Sequence, residues 1–288
     1  MAATAVAIFA HDEERRIGLC LASLPLDRVD TIFHLLVNGS SDRTAQIARA
    51  VAARHPALIV HEIAQGGKAR TWNHFVYDLL PAATPHMVVF MDGDAQIAPC
   101  SFESLEQALA NTPRAHAIAG MPMNGRSHSA YQDMLRREGG LFGDLYALRG
   151  SFIDLIRAAG HRLPVDLVGD DGLVAAFAAT GLSTDANWDR MRLGHADAAG
   201  FYCEPVSLTS PRNLRLQYKR MISYAVRHFQ NRIITDIMGR VGPSGLPERL
   251  SSLYAEWLPR FAPRSGPVNA VFDRLALRRM ARAMRTQP

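Results

Sequence analysis

The sequence predicts an α/β fold in which a mostly parallel sheet carries helices on both faces. Within the first 110 residues, short apolar runs alternate four times with stretches that have helical spacing of apolar residues. This alternation is typical of parallel sheets that are covered on both sides. Polar turn residues follow each apolar run, and the carboxyl ends of parallel strands are where such folds bind ligands. The sequence therefore predicts which edge of the sheet carries the function.

The four strand and helix units can be placed along the chain. The predicted strands cover residues 5–10, 31–37, 58–63 and 87–91, and the helices that follow them begin near residues 17, 44, 68 and 101. Turn-forming residues separate each strand from its helix, as expected at strand ends. These units account for residues 1–110.

The periodicity is weaker after residue 111, and the elements there are predicted from shorter signals. We expect a strand over 117–121, a helix over 131–141, a glycine-punctuated segment over 142–152 that lines a cleft, a strand-like run over 163–168, and helices over 173–180 and 214–238. A segment rich in Pro and Gly, residues 242–247, precedes two last helices. It indicates a boundary near residue 240 and a C-terminal helical extension.

Composition narrows the class of protein. The chain has 288 residues, of which 48% are hydrophobic and 20% charged, so it is long enough to bury a large core. Three widely separated cysteines indicate neither a disulfide framework nor a zinc site, and they predict a reducing cytoplasm. No segment approaches the roughly 20 continuous apolar residues that a membrane span needs.

Two acidic pairs are candidates for chemistry. Asp92 and Asp94 follow the fourth strand, and paired carboxylates at such a position suit Mg²⁺ or Mn²⁺; a polar turn is the alternative interpretation. Asp170 and Asp171 precede a helix. One of them could be a general base with a raised pKa, or the pair could cap the helix, and the sequence favours neither reading.

Two basic elements complete the candidate site. Lys68 follows two glycines at a predicted helix start, where backbone N–H groups and an ammonium can bind phosphate, although the same pattern begins many ordinary helices. Gln217 and Arg220 are three residues apart on the long helix and share a face. Arg220 could bind a diphosphate through two hydrogen bonds, whereas a solvated basic face is the alternative.

Taken together, these elements resemble the inverting glycosyltransferases of family 2, which have the GT-A fold with a Rossmann-like sheet. Residues 5–14 resemble the first strand with its P-A-Y-N-E-E turn, and residues 38–44 resemble D-G-S-x-D-x-T. The other matches are residues 67–73 to G-K-A-x-x-x-N, residues 92–94 to D-x-D, residues 169–171 to E-D or G-D-D, and residues 217–220 to Q-x-x-R. The resemblance covers residues 4–225.

The resemblance implies a catalytic domain over 1–240, with a nucleotide-binding half over 1–110 and an acceptor half over 111–240. A basic helical tail follows over 241–288. By this resemblance, Glu13, Asn38 and Lys68 contact the nucleotide, and Gln217 also binds the donor. Asp92 and Asp94 bind ribose and Mn²⁺ or Mg²⁺, with Asp94 the direct ligand. Asp171, beside Asp170, deprotonates the acceptor, and Arg220 neutralises the departing diphosphate.

The implied activity is transfer of one sugar from a nucleotide-diphosphate sugar, in the first place a UDP-sugar, to a glycan or lipid-linked acceptor. Asn38 stands where many members have Asp, which weakens the expectation for uridine, and Met221 replaces the Trp of processive polymerases. The alternatives are a sugar-phosphate nucleotidyltransferase, for which the glycine-rich G-x-G-T-R loop is missing, and a non-enzymatic basic module that binds membranes. No nucleic-acid-binding motif is present.

The net charge of +5 is concentrated at the C-terminus. Residues 260–288 contain seven arginines, no lysine and one acid. Five apolar residues lie among these arginines: Val268, Val271, Phe272, Leu275 and Met280. This pattern is suited to an anionic membrane surface and predicts a peripheral protein on the inner face of the membrane. A helix packed on the catalytic domain is the equally supported alternative.

Overall fold

The computed structural model describes residues 3–204 and 210–285, and its core is one eight-stranded sheet. The strands are β1 Thr4–Ala10, β2 Thr31–Asn38, β3 Leu58–Ile63, β4 Met87–Asp92, β5 Ala95–Ile97, β6 Ala117–Pro122, β7 Tyr146–Arg149 and β8 Leu193–Cys203. Their order in the sheet is β3-β2-β1-β4-β7-β6-β8-β5. The first four are parallel, and β7 and β5 run antiparallel to their neighbours. The predicted mostly parallel sheet is confirmed.

Helices cover both faces of this sheet. They are α1 Ile17–Ala22, α2 Thr44–Ala52, α3 Lys68–His74, α4 Ser101–Asn111, α5 His128–Glu138, α6 Gly150–Ala159, α7 Asp170–Thr180, α8 Pro211–Arg240, α9 Tyr254–Trp257 and α10 Pro267–Arg285. A π-helical turn, Phe75–Leu79, continues α3. Of the described residues, no helix is long and apolar enough to cross a membrane.

The strands are buried because alternate residues serve two separate cores. In β1, Ala5, Ala7 and Phe9 pack with α3, α6, α7 and α8, whereas Val6 and Ile8 pack on the other face with α1, α2 and α4. A strand that is covered on both faces reads as a continuous apolar run, which is why β1, β2 and β4 could be found from the sequence. The same burial fixes where their carboxyl ends meet.

Several elements of the second half differ from expectation. Strands β5, β7 and β8 were not predicted, and the segment over 142–152 contains β7 and the start of α6. Residues 163–168 do not form a strand, because Pro164 lacks an N–H and the N–H groups of Val165 and Val168 donate to Glu248 O and Gln230 Oε1. Helix α5 begins at residue 128 rather than 131 and ends at 138.

The segment after residue 240 packs on the core. The Asp166 carboxylate accepts hydrogen bonds from the N–H groups of Leu250 and Ser251, at 2.7 and 2.9 Å, and Gln230 Nε2 donates to Tyr254 Oη at 2.9 Å. The division of the chain at residue 240 stays a prediction.

Helix α10 also has one face against the core, because Ala276 and Met280 are buried there. Met280 is therefore not available to a membrane. Val268 and Val271 are exposed. The expected membrane contact stays a prediction that now rests on these two valines.

A pair of histidines, of which His34 is buried, makes the fold sensitive to acid. His34 of β2 is 6% exposed, and its Nδ1 lies 3.0 Å from Nε2 of His61 on β3. Burial, with the neighbouring His61, lowers the pKa of His34 to about 4. Between pH 6.5 and 4, the unfolded chain binds a proton at His34 that the folded chain does not, so stability falls as the pH falls.

We expect the variant His34→Leu to lose less stability than the wild type when the pH is lowered from 7 to 5. The difference should be about 2 kcal/mol, since the proton uptake of the unfolded state at this site is removed. Urea unfolding of both proteins at the two pH values measures it. Parallel pH dependence of the two proteins would show that His34 does not contribute.

Candidate active site

The loops after β1 and β2 form one wall of the candidate site and are bonded to each other. The Glu13 N–H donates to Thr44 Oγ1 at 2.7 Å, and the Glu14 N–H donates to Asp42 Oδ2 at 3.0 Å. These bonds explain why acidic and hydroxyl residues follow both strands. The loops that the sequence predicted at the carboxyl edge of the sheet are thus held together there.

Asn38 at the end of β2 joins this wall to the loop after β3. Its Nδ2 donates to Ala10 O and its Oδ1 accepts from the Gly67 N–H, both at 3.0 Å, and the residue is 4% exposed. An Asp at this position could not donate to Ala10, which gives a physical reason for the amide. The expected contact of Asn38 with a nucleotide base stays a prediction.

Lys68, the first residue of α3, connects the two acidic pairs. Its Nζ lies 2.5 Å from Asp92 Oδ1 and 3.6 Å from Asp170 Oδ1. Burial by itself would lower the pKa of Lys68, but the carboxylates of Asp170 and Asp92 outweigh this and raise it well above its ordinary value. A Cβ on Gly143 would lie 2.6 Å from Nζ, so a side chain at this position would have to displace the ammonium.

Asp92 and Asp94 are joined by a third carboxylate, that of Asp144. Carboxylate oxygens of all three lie within 4.8 Å of one another. Burial and the neighbouring acids raise the pKa of Asp92 well above its usual range, although Lys68 opposes this effect. Burial also raises the pKa of Asp144. The Oδ1 atom of Asp144 accepts a hydrogen bond from Cys203 Sγ at 3.1 Å. Three oxygen donors at this separation are a donor set that fits Mg²⁺ or Mn²⁺.

Two arginines approach the same cluster. Arg16 bridges Glu13, at 2.6 Å, and Asp94, at 3.0 Å, and Arg220 of α8 lies 3.8 Å from Asp94 Oδ2. Burial, followed by repulsion from Asp94, raises the pKa of Glu13 to about 7, although Arg16 opposes this. Gln217 is half-buried on α8, three residues before Arg220. Arg220 is thus at the acidic cluster, as its proposed role requires.

The second acidic pair forms the first turn of α7. The cap residue is Gly169, at φ +87°, and neither acid bonds as a cap, because Asp170 faces Lys68 and Asp171 Oδ1 lies 2.8 Å from Arg227 Nη2. A Cβ on Gly169 would come within 2.4 Å of Arg227. Burial raises the pKa of Asp170 against the effect of Lys68, and among the described residues its Oδ2 has no hydrogen-bond partner. The two carboxylates are thus used in contacts with Lys68 and Arg227, and their functional role stays a prediction.

Sequence reasoning missed three residues of this site. Arg16 had a weak signal, since it lies three residues after Glu13. Asp144 is the only acid in the segment predicted to line a cleft, so it could have been singled out. Arg227 had no signal, because only folding brings it to a residue 56 positions earlier in the chain.

Three solved structures share this fold at low identity. The mannosyltransferase PcManGT from Pyrobaculum calidifontis, in complex with GDP-Man and Mn²⁺, is 21% identical with a TM-score of 0.60, over 99% of this chain and 76% of that one. TarS 1–349 of S. aureus is 17% identical, with a TM-score of 0.52 over 88% of this chain and 72% of that one.

Glucosyl-3-phosphoglycerate synthase from Mycobacterium tuberculosis, in complex with Mn²⁺, UDP-Glc and phosphoglyceric acid, is 18% identical. Its TM-score is 0.53, over 78% of each chain. No curated protein matches the sequence significantly.

The sequence profile described as glycosyltransferase like family 2 matches residues 2–246, which is most of the chain. This match includes β1 to β8 and the acidic cluster. The fold and the profile agree with the resemblance found in the motifs. The protein belongs to glycosyltransferase family 2 and is a glycosyltransferase.

Proposed function

We propose that the enzyme transfers one sugar from a nucleotide-diphosphate sugar to an acceptor hydroxyl, with inversion of the anomeric carbon, and that it needs Mn²⁺ or Mg²⁺. The observation that carries the proposal is the contact of Lys68 with both acidic pairs, which puts a three-carboxylate cation site next to a candidate base. Structural neighbours hold GDP-Man with Mn²⁺ and UDP-Glc with Mn²⁺, which supports the same ligand class here.

Asp94, Asp92 and Asp144 are the residues that would hold the cation. Asp92 Oδ1 accepts from the Lys68 ammonium, so the other oxygen of this carboxylate is available to the cation. When bound, the cation would neutralise charge on the donor diphosphate. Lys68 and Arg220 would add positive charge next to the donor diphosphate, where negative charge develops as this leaving group departs.

Asp171 is our candidate for the general base. As the acceptor oxygen bonds to the anomeric carbon, its proton passes to the Asp171 carboxylate and the bond from that carbon to the diphosphate oxygen breaks, the electron pair leaving with the diphosphate. Arg227, at 2.8 Å, holds the Asp171 carboxylate in place. Asp170 instead faces Lys68 and helps to hold the ammonium. A single displacement of this kind inverts the carbon.

Glu13, Asn38 and Gln217 complete the proposed donor site, and a uridine nucleotide is the first candidate. Thermal-shift measurements of the protein with UDP-sugars and GDP-sugars, each with and without Mn²⁺, test the proposal. We expect stabilisation by one nucleotide class that depends on the metal, since a ligand that binds only the folded state stabilises it. Absence of any stabilisation, or release of pyrophosphate from a nucleoside triphosphate, would contradict it.

The cation site predicts the effect of removing single ligands. Asp94→Asn and Asp144→Asn should each weaken Mn²⁺ binding by about tenfold or more, because each removes a charged oxygen donor. Electron paramagnetic resonance of free Mn²⁺ measures the affinity without relying on activity. Asp133→Asn, which removes an exposed acid of α5, is the matched control and should bind as the wild type does. Unchanged binding by Asp144→Asn would exclude Asp144 as a ligand.

The two acids of α7 should separate in their effects. Asp171→Asn is expected to retain donor affinity and to lower the rate of transfer by about 10² to 10⁴, the usual contribution of a general base. Asp170→Asn should mainly weaken donor binding, since Asp170 helps to hold the Lys68 ammonium in the position from which it would bind the donor diphosphate. Calorimetric donor binding and single-turnover transfer distinguish them. The reverse pattern would assign the base to Asp170.

We also propose that residues 260–288 bring the enzyme to an anionic membrane surface. Val268→Ser with Val271→Ser should reduce co-sedimentation with phosphatidylglycerol vesicles, since both side chains are exposed. These variants are preferable to deletion of the segment, because Ala276 and Met280 belong to the core. Equal sedimentation of variant and wild type would argue for a purely structural helix.

A further inference from the structure

A second, strongly basic cleft opens beside the candidate donor site. Its volume is about 1250 Å³, and it lies between the loop after β1, the first half of α8 and the helix α10. Six of its cationic side chains come from the two helices: Arg215, Lys219, Arg220, Arg278, Arg279 and Arg282. Among the described lining residues, only Asp12 and Glu13 carry carboxylates. The cleft therefore has a large excess of positive charge.

Packing of α10 decides that its arginines face this cleft. The Phe272 ring lies 5.7 Å from the Tyr218 ring of α8, and Arg279 Nη1 donates to Ser223 Oγ at 3.2 Å. At the start of α10, the buried Asp273 carboxylate accepts from the backbone N–H and the guanidinium of Arg264, at 2.7 Å. The helix is thus anchored along its length, and the charges at its cleft side are held in place.

Like charges lie side by side on α8. Arg215 and Lys219 are four residues apart, and like charges at this spacing destabilise a helix. A bound anion would offset this cost.

The donor alone does not account for so many cations. Arg16 and Arg220 already lie at Asp94, and Lys68 lies between Asp92 and Asp170, so the diphosphate has positive partners at that end. The remaining cations of the cleft, on α8 and α10, lie outside these contacts. Glu13, Arg16 and Arg220 are common to both places and link the cleft to the candidate site of transfer.

We propose that the cleft binds the phosphate group of the acceptor, so that the enzyme glycosylates a molecule that itself carries a phosphate ester. Guanidinium groups bind phosphate through paired, charge-assisted hydrogen bonds, and three of them come from one helix, α10. This inference rests on the proposed function, because it assumes that a nucleotide-sugar donor occupies the neighbouring site. The phosphate could belong to a lipid headgroup or to a small free metabolite, and the chemistry of recognition is the same.

The test is a calorimetric titration of the full chain, saturated with Mn²⁺ and the nucleoside diphosphate that the donor screen identifies. The probes are farnesyl monophosphate in detergent and glycerol 3-phosphate, with farnesol and glycerol as uncharged counterparts. We expect the wild type to bind at least one phosphate ester and neither alcohol. Tighter binding of the farnesyl ester would indicate a lipid source, and tighter binding of glycerol 3-phosphate a free one.

The cleft variant combines Arg278→Gln with Arg282→Gln, and it should weaken binding of the phosphate ester at least about tenfold, since two charged donors are lost. The matched control combines Arg54→Gln with Arg249→Gln, two exposed arginines outside the cleft, and should bind as the wild type does. Both variants should bind the nucleotide unchanged.

Two results would overturn the inference: no binding of either ester by the wild type, or equal binding by the wild type and the cleft variant. Failure of the proposed function would look different, because the wild type would then bind no nucleotide in the presence of Mn²⁺. The thermal midpoints of both variants show whether they are folded.

Discussion

The candidate site depends on one ammonium group held among carboxylates. Lys68 contacts Asp92 at the end of β4 and Asp170 at the start of α7, two positions 78 residues apart in the chain. Without this cation, buried acids from both elements would repel one another at close range. The glycine at residue 143 leaves room for the ammonium, which a Cβ there would have to displace. Lys68 thus belongs to the segment that resembles the G-K-A-x-x-x-N motif, and in the structure it connects the two acidic pairs of the candidate site.

Charge balance organises the surroundings of this contact. Arg16 is shared between Glu13 and Asp94, Arg227 holds Asp171, and Arg220 approaches Asp94 from the long helix. Arg16 follows β1, whereas Arg220 and Arg227 both come from α8, and each of the three faces a carboxylate that the fold has partly removed from water. The acidic cluster still exceeds these partners, because Asp144 adds a third carboxylate beside Asp92 and Asp94. This excess is what makes a divalent cation a fitting ligand.

The structure changes the interpretation of the basic C-terminal segment. As a string of residues it is an excess of arginine at one end of the chain, suited to any anionic surface. In the structure, Ala276 and Met280 face the core, and Arg278, Arg279 and Arg282 consequently line a cleft next to the candidate donor site. The segment is therefore placed to contribute to acceptor recognition as well as to the proposed membrane contact, which uses the exposed valines near its start.

The sequence by itself determined the parallel half of the sheet, the edge that carries the site, and most of the acidic and basic residues there. It could do so because strands buried on both faces are continuous apolar runs, and because polar residues directly follow them. Only the tertiary structure decided that Asp144 and Arg227 lie at the candidate site, that residues 163–168 are not a strand, and that α10 lines a cleft beside this site. Those features arise from contacts between distant segments, and such contacts leave no periodic pattern in the chain.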